Sequence, residues 1–323
     1  MKNVFKKIVF ACLAITVVSC NDDDETPKQQ SIAEIAIATA DFSTLETALN
    51  RTGLTTVLNG NGQFTVFAPT NAAFQAFFTS LGPAVTVDNV DVAVLTRVLL
   101  NHVIAAEVKS SAISTGYVST LSPFNETVTI SMFIQKTGAN VFINGGTAST
   151  GVRVTTADVD ARNGVIHIVN AVIAIPTVVD HVVANPEFDT LQAVVTSGSQ
   201  SAVLNALSGL TAAMPATLFA PNNAAFATAL GTGGFANGAT DASVTKVLQY
   251  HVTVAGNVRA AQLTNNQVIP MFTTPVQNVT VILGTNTVDI RDTVDSLSRV
   301  FVADIQCSNG VIHGVNRVLR PSL

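Results

Sequence analysis

Two kinds of hydrophobic pattern divide the chain. Leu95, Val98, Leu99 and His102 fall at i, i+3, i+4 and i+7, and Val244, Val247, Leu248 and His251 repeat that spacing. This period puts each set on one face of an amphipathic helix. Ser43 with Glu46, and Asp189 with Gln192, have capping-box spacing, so helices are expected to begin there, the first ending at Gly53. Short apolar strands at 65–68 and 217–220 are ended by Pro69 and Pro221, and Asn71 and Asn223 are placed to cap helices through 72–78 and 224–230. The second pattern is rich in Val, Ile and Thr. It predicts hairpins of 127–135 with 141–144 and of 279–283 with 288–290, and further strands at 152–157, 165–173, 299–305 and 311–319. Helices first and antiparallel strands last make an α+β class.

These elements occur twice. Phe42-Ser43-Thr44-Leu45 answers to Phe188-Asp189-Thr190-Leu191, and Asn163-Gly164-Val165-Ile166-His167 to Asn309-Gly310-Val311-Ile312-His313, both at an offset of 146. Thr65-Val66-Phe67-Ala68-Pro69 pairs with Thr217-Leu218-Phe219-Ala220-Pro221 at 152. A period this long marks a duplicated globular domain rather than a solenoid. The expected domains span 31–176 and 177–323, and a junction at Ile175-Pro176-Thr177 with almost no linker favours domains that touch.

The first 20 residues differ from this body. Lys2, Lys6 and Lys7 precede an apolar run at 8–18, then Ser19 and Cys20. Eleven residues at 1.5 Å each reach about half of a ~30 Å hydrocarbon core, so the run is read as the apolar part of a signal peptide at 1–20. Val17-Val18-Ser19-Cys20 resembles the lipobox of bacterial lipoproteins, which implies acylation of Cys20 and membrane attachment. Residues 21–30 contain Asp22-Asp23-Asp24-Glu25, whose mutual repulsion makes a solvated tether. That run resembles a surface-export signal of Gram-negative lipoproteins. The expectation is an outer-membrane lipoprotein exposed at the surface, with a periplasm-facing orientation as the alternative. Of 16 basic residues three lie in this leader, leaving 13 against 21 acidic groups, which excludes a basic nucleic-acid surface. Three cysteines, two of them in the leader, do not make a disulfide scaffold.

The duplicated blocks carry a family resemblance. Thr65 to Phe74 and Thr217 to Phe226 resemble the first signature of fasciclin-type domains, and Asn163 to Asn170 and Asn309 to Asn316 resemble the second. The family's intervening Tyr-His pair is present as Tyr250-His251 and altered to Asn101-His102. Where the family often has Asp in the first signature, this chain has Asn71 and Asn223. The resemblance implies two tandem domains, each a wedge of β-strands packed with several N-terminal helices. It also implies adhesion or binding at a cell surface or matrix, without catalysis. Its motif residues, expected to be mainly structural, are Thr65, Phe67, Pro69, Asn71, His102, Asn163, Gly164 and His167 in the first copy. In the second they are Thr217, Phe219, Pro221, Asn223, Tyr250, His251, Asn309, Gly310 and His313.

Candidate chemistry adds little to that picture. Four of the five histidines, His102, His167, His251 and His313, sit at equivalent positions, which suits ring hydrogen bonds within the fold better than a metal site; His181 is the fifth. Cys307 follows a strand, has no basic neighbour and aligns with Ala161, so it reads as a packed side chain. Asp158 with Asp160, and Asp292 with Asp295, lack calcium-loop spacing, and Gly145-Gly146 and Gly231-Thr232-Gly233-Gly234 lack a phosphate-loop lysine. No nucleophile motif occurs, so no enzyme, cofactor or metal is expected. The leading expectation is a lipid-anchored adhesion or interaction protein with protein or glycan ligands. The alternative is a carbohydrate- or small-molecule-binding accessory lipoprotein of the cell envelope, for which the absence of Trp and the presence of only Tyr117 and Tyr250 disfavour sugar stacking.

Overall fold

The computed structural model describes residues 28–145, 151–232, 234 and 238–322. Cys20, the leader, the acidic run, Gly146 and Gly233 lie outside the described residues. The first domain runs α1 (Ile32–Ala38), α2 (Ser43–Thr52), α3 (Leu54–Leu58), β1 (Phe64–Pro69), α4 (Asn71–Leu81), α5 (Val92–Leu100) and β2 (Val103–Ile104). It continues with β3 (Gly116–Pro123), β4 (Thr129–Thr137), β5 (Asn140–Ile143), β6 (Val152–Ala161) and β7 (Gly164–Val169). The second repeats the plan as α6 (Val178–Ala184), α7 (Asp189–Val195), α8 (Ser201–Ser208), β8 (Ala216–Pro221), α9 (Asn223–Leu230), α10 (Asp241–Gln249) and β9 (Val252–Thr253). It ends with β10 (Val268–Pro270), β11 (Asn278–Leu283), β12 (Val288–Arg291), β13 (Leu297–Cys307) and β14 (Gly310–Val315).

Each domain holds one seven-stranded, barrel-like sheet, in the orders β2-β1-β7-β6-β5-β4-β3 and β10-β11-β12-β13-β14-β8-β9. The α+β class stands, with one correction to the expected antiparallel sheet. The two signature segments of each copy pair in parallel, Phe67 opposite His167 and Phe219 opposite His313. Parallel neighbours need a long crossover, and here all the intervening helices and hairpins supply it.

Strand β1 is buried on both faces, and its side chains alternate between two cores. Val66 and Ala68 join the helical cluster with Leu45, Leu49, Leu95 and Leu99, while Phe67 joins Met132, Ile134 and Ile143 inside the sheet. In β8, Leu218 and Ala220 face the helices and Phe219 faces the sheet interior with Tyr250 and Val281. The first signature is therefore the wall between two cores. Burying one such Phe contributes about 1.5–3 kcal/mol.

Several local expectations shift. Ser43 and Asp189 already have helical backbone, because the 3₁₀ turns Ala40–Phe42 and Pro186–Phe188 lead straight into α2 and α7. Phe42 and Phe188 hold the cap positions, and their phenyl rings have no oxygen with which to cap. The capping boxes lie earlier, at Ser31 with Glu34 and at Thr177 with Asp180, opening α1 and α6. Asn71 and Asn223 are likewise already helical, and Thr70 and Asn222, both extended, cap α4 and α9. The left-handed stop of α2 at Gly53 is present, with φ 72°. The strands expected at 165–173 and 311–319 end at Val169 and Val315, and β2, β3, β9 and β10 are additional.

Candidate functional site

The repeated motif residues form several separate hydrogen-bonded clamps in each domain. Thr65 Oγ1 donates to the Ala106 carbonyl at 2.6 Å and accepts from Val108 N–H at 2.8 Å. His167 Nε2 donates to the Val108 carbonyl at 3.0 Å, and its Nδ1 accepts from Asp158 N–H at 3.2 Å. Thr217 and His313 clamp Gly256 and Val258 in the same way, at 2.7 Å for Thr217 to Gly256 and 2.9 Å for His313 to Val258. Phe67 and Phe219 lie against these imidazoles, with ring centroids 5.5 and 5.7 Å apart.

His102 and His251 form a second staple. Each donates from Nδ1 to a carbonyl four residues back, Val98 or Val247, at 2.7 Å. Each accepts at Nε2 from Ile173 or Leu319 N–H at 2.8 Å, tying the end of α5 or α10 to the segment that follows the last strand. One nitrogen donates and the other accepts, which fixes a neutral ring. Burial pushes both imidazoles down to about 4. Burial also lowers His167 and His313.

Asn163 Oδ1 accepts from Ile32 N–H and its Nδ2 donates to the Leu58 and Gly60 carbonyls, while Asn309 joins Val178 to Leu207. The next residue must be glycine, because a Cβ on Gly164 or Gly310 would overlap the Phe64 or Ala216 backbone. Asn71 Oδ1 accepts from Thr44 N–H and its Nδ2 donates to the Ala40 carbonyl, and Asn223 does the same for Thr190 and Pro186. A carboxylate could not make the donated half of this bridge. Tyr250 OH donates to the Asn278 carbonyl at 2.6 Å, whereas Asn101 Nδ2 donates to the Ile173 and Ala174 carbonyls. Pro69 and Pro221 end β1 and β8. Cys307 ends β13, fully buried, with its thiol pushed up by burial.

No group of three or more His, Cys, Asp or Glu placed to hold a metal occurs among the described residues. Surface features are the remaining sites. At the seam where β9 and β10 meet, Phe272 N–H bonds the Val252 carbonyl at 2.8 Å. Around it Val254, Val268, Phe272 and Val276 stand 41–66% exposed.

The domains meet through residues that belong to none of the repeated motifs. His181 of α6 donates from Nε2 to the Ser131 carbonyl, Gln306 N–H donates to Ser131 Oγ at 2.9 Å, and Asn185 Nδ2 donates to Tyr117 OH at 3.1 Å. Tyr117 packs edge-on to His181 with centroids 5.3 Å apart. Gln306 and Ser131 lie 175 positions apart, so no local pattern announces the contact.

The Fasciclin domain profile matches this chain twice, over residues 40–176 and 186–321. The chain belongs to the fasciclin family. Among its relatives, Protein sll1483 of Synechocystis sp. is 36% identical over 155 residues, covering 47% of this chain and 77% of that protein. Transforming growth factor-beta-induced protein ig-h3 of Sus scrofa is 32% identical over 131 residues, 40% of this chain and 17% of the relative. Stabilin-1 of Mus musculus is 28% identical over 152 residues, 46% of this chain and 6% of its own length. A FAS1 domain pair from the insect cell adhesion molecule Fasciclin I is similar over 89% of this chain and 95% of that one, at 17% identity and a TM-score of 0.48. Fasciclin domains occur in cell adhesion proteins.

Proposed function

We propose that this fasciclin pair is a lipid-anchored adhesion protein, held to the outer membrane through acylated Cys20, exposed at the cell surface and contacting protein or glycan ligands. The observation that carries the reading is the fate of the repeated motifs: their threonines, histidines and asparagines are spent on backbone hydrogen bonds inside each domain. Fixed in this way, they act as scaffold and leave recognition to the exterior. The exposed Val254, Val268, Phe272 and Val276 offer apolar contact area there. Two linked domains increase avidity when both engage one target. No catalytic step, cofactor or metal enters this account.

Protease shaving of intact cells tests the placement. Wild-type protein is expected to be cleaved, and a variant with Asp22, Asp23, Asp24 and Glu25 all replaced by Ser is expected to be protected. Protection of both until the outer membrane is broken would place the protein on the periplasmic side and remove external adhesion. The second reading, small-molecule binding, is favoured by a cavity in the second domain.

A further inference from the structure

The two domains differ where α2 faces α4 and α5 and where α7 faces α9 and α10. In the first domain Phe74, Phe77 and Phe78 form a ring cluster, with centroids 5.8 Å apart for Phe74 and Phe78 and 5.5 Å apart for Phe77 and Phe78. The Arg51 guanidinium reaches across to the carbonyls of Val87 and Val90, and Val90 is buried with Val85 and Val87 packed beside it. This space is filled by the protein's own side chains.

Among the described residues of the second domain the helices are kept and the side chains at the compared positions are mostly smaller. Aligning Phe74 with Phe226 puts Ala229 at the place of Phe77 and Leu230 at that of Phe78. Aligning Leu45 with Leu191 puts Ser197 at the place of Arg51, and aligning the helix caps Asp91 and Thr240 puts Ala239 at that of Val90. Helix α7 also stops at Val195, whereas α2 runs to Thr52. Only Ala48, which becomes Val194, changes in the opposite sense among the lining positions compared. What remains is a half-open cavity of about 350 Å³ between α7, α9 and α10. Its size is that of a small-molecule site, which typically spans roughly 300–1,000 Å³.

The lining selects a ligand class. Phe226, Ala229, Val247 and Leu248 make apolar, buried walls, and Thr190 and Ser197 add hydroxyls to the lining, that of Ser197 donating to the Val194 carbonyl and left with its acceptor side. Gln200 does not compete for the ligand, because its amide is engaged by the Asp241 carbonyl and by Thr245. The described lining contains no Lys or Arg, and its one charged member is the carboxylate of Asp241, so an anionic head group would meet repulsion and no cationic partner. We propose that the second domain binds a compact, uncharged, mainly apolar molecule bearing one hydroxyl or carbonyl group, and that the first domain does not. This inference is independent of the adhesion reading.

The test uses the full chain carrying Cys20→Ser, so that no acyl group or detergent competes, and the neutral fluorophore N-phenyl-1-naphthylamine. One saturable site per chain is expected. Ala229→Phe and Ser197→Arg, which restore the first domain's residues, are each expected to weaken binding at least tenfold, with the unfolding midpoint and circular dichroism retained. Methyl NMR gives a second readout that needs no variant: the probe should shift Ala229 and Val247 and leave Val85 and Val90 in place. 1-Octanol should displace the probe, and octanoate should not. Absence of saturable binding, or NMR shifts confined to the first domain, would overturn the proposal. So would folded variants that bind as the parent does, and equal displacement by octanoate would overturn the assigned ligand class.

Discussion

The imidazole Nε2 of His181 lies 3.1 Å from the carbonyl oxygen of Ser131, joining the first helix of the second domain to a strand of the first. Ser131 is engaged twice, since its hydroxyl accepts from Gln306 N–H of β13. Two domains joined by so few linking residues thus meet through a buried polar contact, and their relative angle is part of the fold. Fixed geometry matters to a tandem binder, because avidity vanishes when both sites cannot be engaged together.

Ser131→Ala leaves the buried Gln306 N–H without its acceptor. An unsatisfied buried donor costs about 1–3 kcal/mol, so urea denaturation is expected to show a loss of that size. Solution scattering should show a broader distribution of interdomain distances than in wild type. An unchanged profile together with unchanged stability would contradict the interface.

Acid should weaken the fold through its histidines. His102, His181 and His251 are each pushed down by burial to about 4, from an ordinary value of 6.5. Below pH 6.5 the unfolded chain takes up protons that the folded chain refuses, so stability is full above that value. It is lost as pH falls toward 4, by up to about 1.4 kcal/mol per unit for each histidine. Denaturation curves at pH 7.5, 5.5 and 4.5 should show the decline, and His251→Gln should flatten its slope.

Removing a staple should cost more than removing a hydroxyl. His251→Ala strips partners from the Val247 carbonyl and from Leu319 N–H, both satisfied by this imidazole. With the cavity added, about 3 kcal/mol or more of stability is expected to go. Tyr250→Phe keeps the ring and loses the hydroxyl with its bond to Asn278, and should cost about 1–2 kcal/mol. Thermal melts of the two variants rank them, and the reverse order would contradict the role given to His251.

Gly164→Ala is expected to abolish folding of the first domain. Its backbone sits at φ 140°, and the added Cβ meets the backbone of Phe64, which belongs to β1. The parallel pairing of the two signature strands could not close. Loss of protease resistance between residues 31 and 176 reads this out.

Local periodicity served well where the signal was local. The face of Leu95, Val98 and Leu99 is the buried face of α5, each residue under 5% exposed, and β4 and β5 form the expected hairpin. The duplication predicted two domains because whole blocks recur. What escaped depends on distant partners. The parallel pairing of Phe67 with His167 brings together residues 100 positions apart, which no period reveals. Thr65 and Asn163 could be singled out as repeated, yet their hydrogen bonds go to loop and helix-end backbone that carries no side-chain signature. The actual caps lie one residue or one helix from the expected ones, because spacing alone does not tell whether a Ser or Asn has already entered the helical backbone, as Ser43 has. The cavity was equally hidden, since Ala229 acquires meaning only when set against Phe77.

The central claim is that the protein contacts external surfaces, and attachment measures it most directly. Wild-type cells, a deletion strain and the deletion strain complemented with the wild-type or the Val254→Ser/Phe272→Ser chain should be compared on immobilised matrix proteins, glycans and neighbouring cells. The account predicts that deletion lowers attachment to at least one of these, that the wild-type chain restores it, and that the doubly substituted chain, though present at the same surface level, restores it poorly. Attachment unchanged by deletion on every one of these surfaces would contradict it.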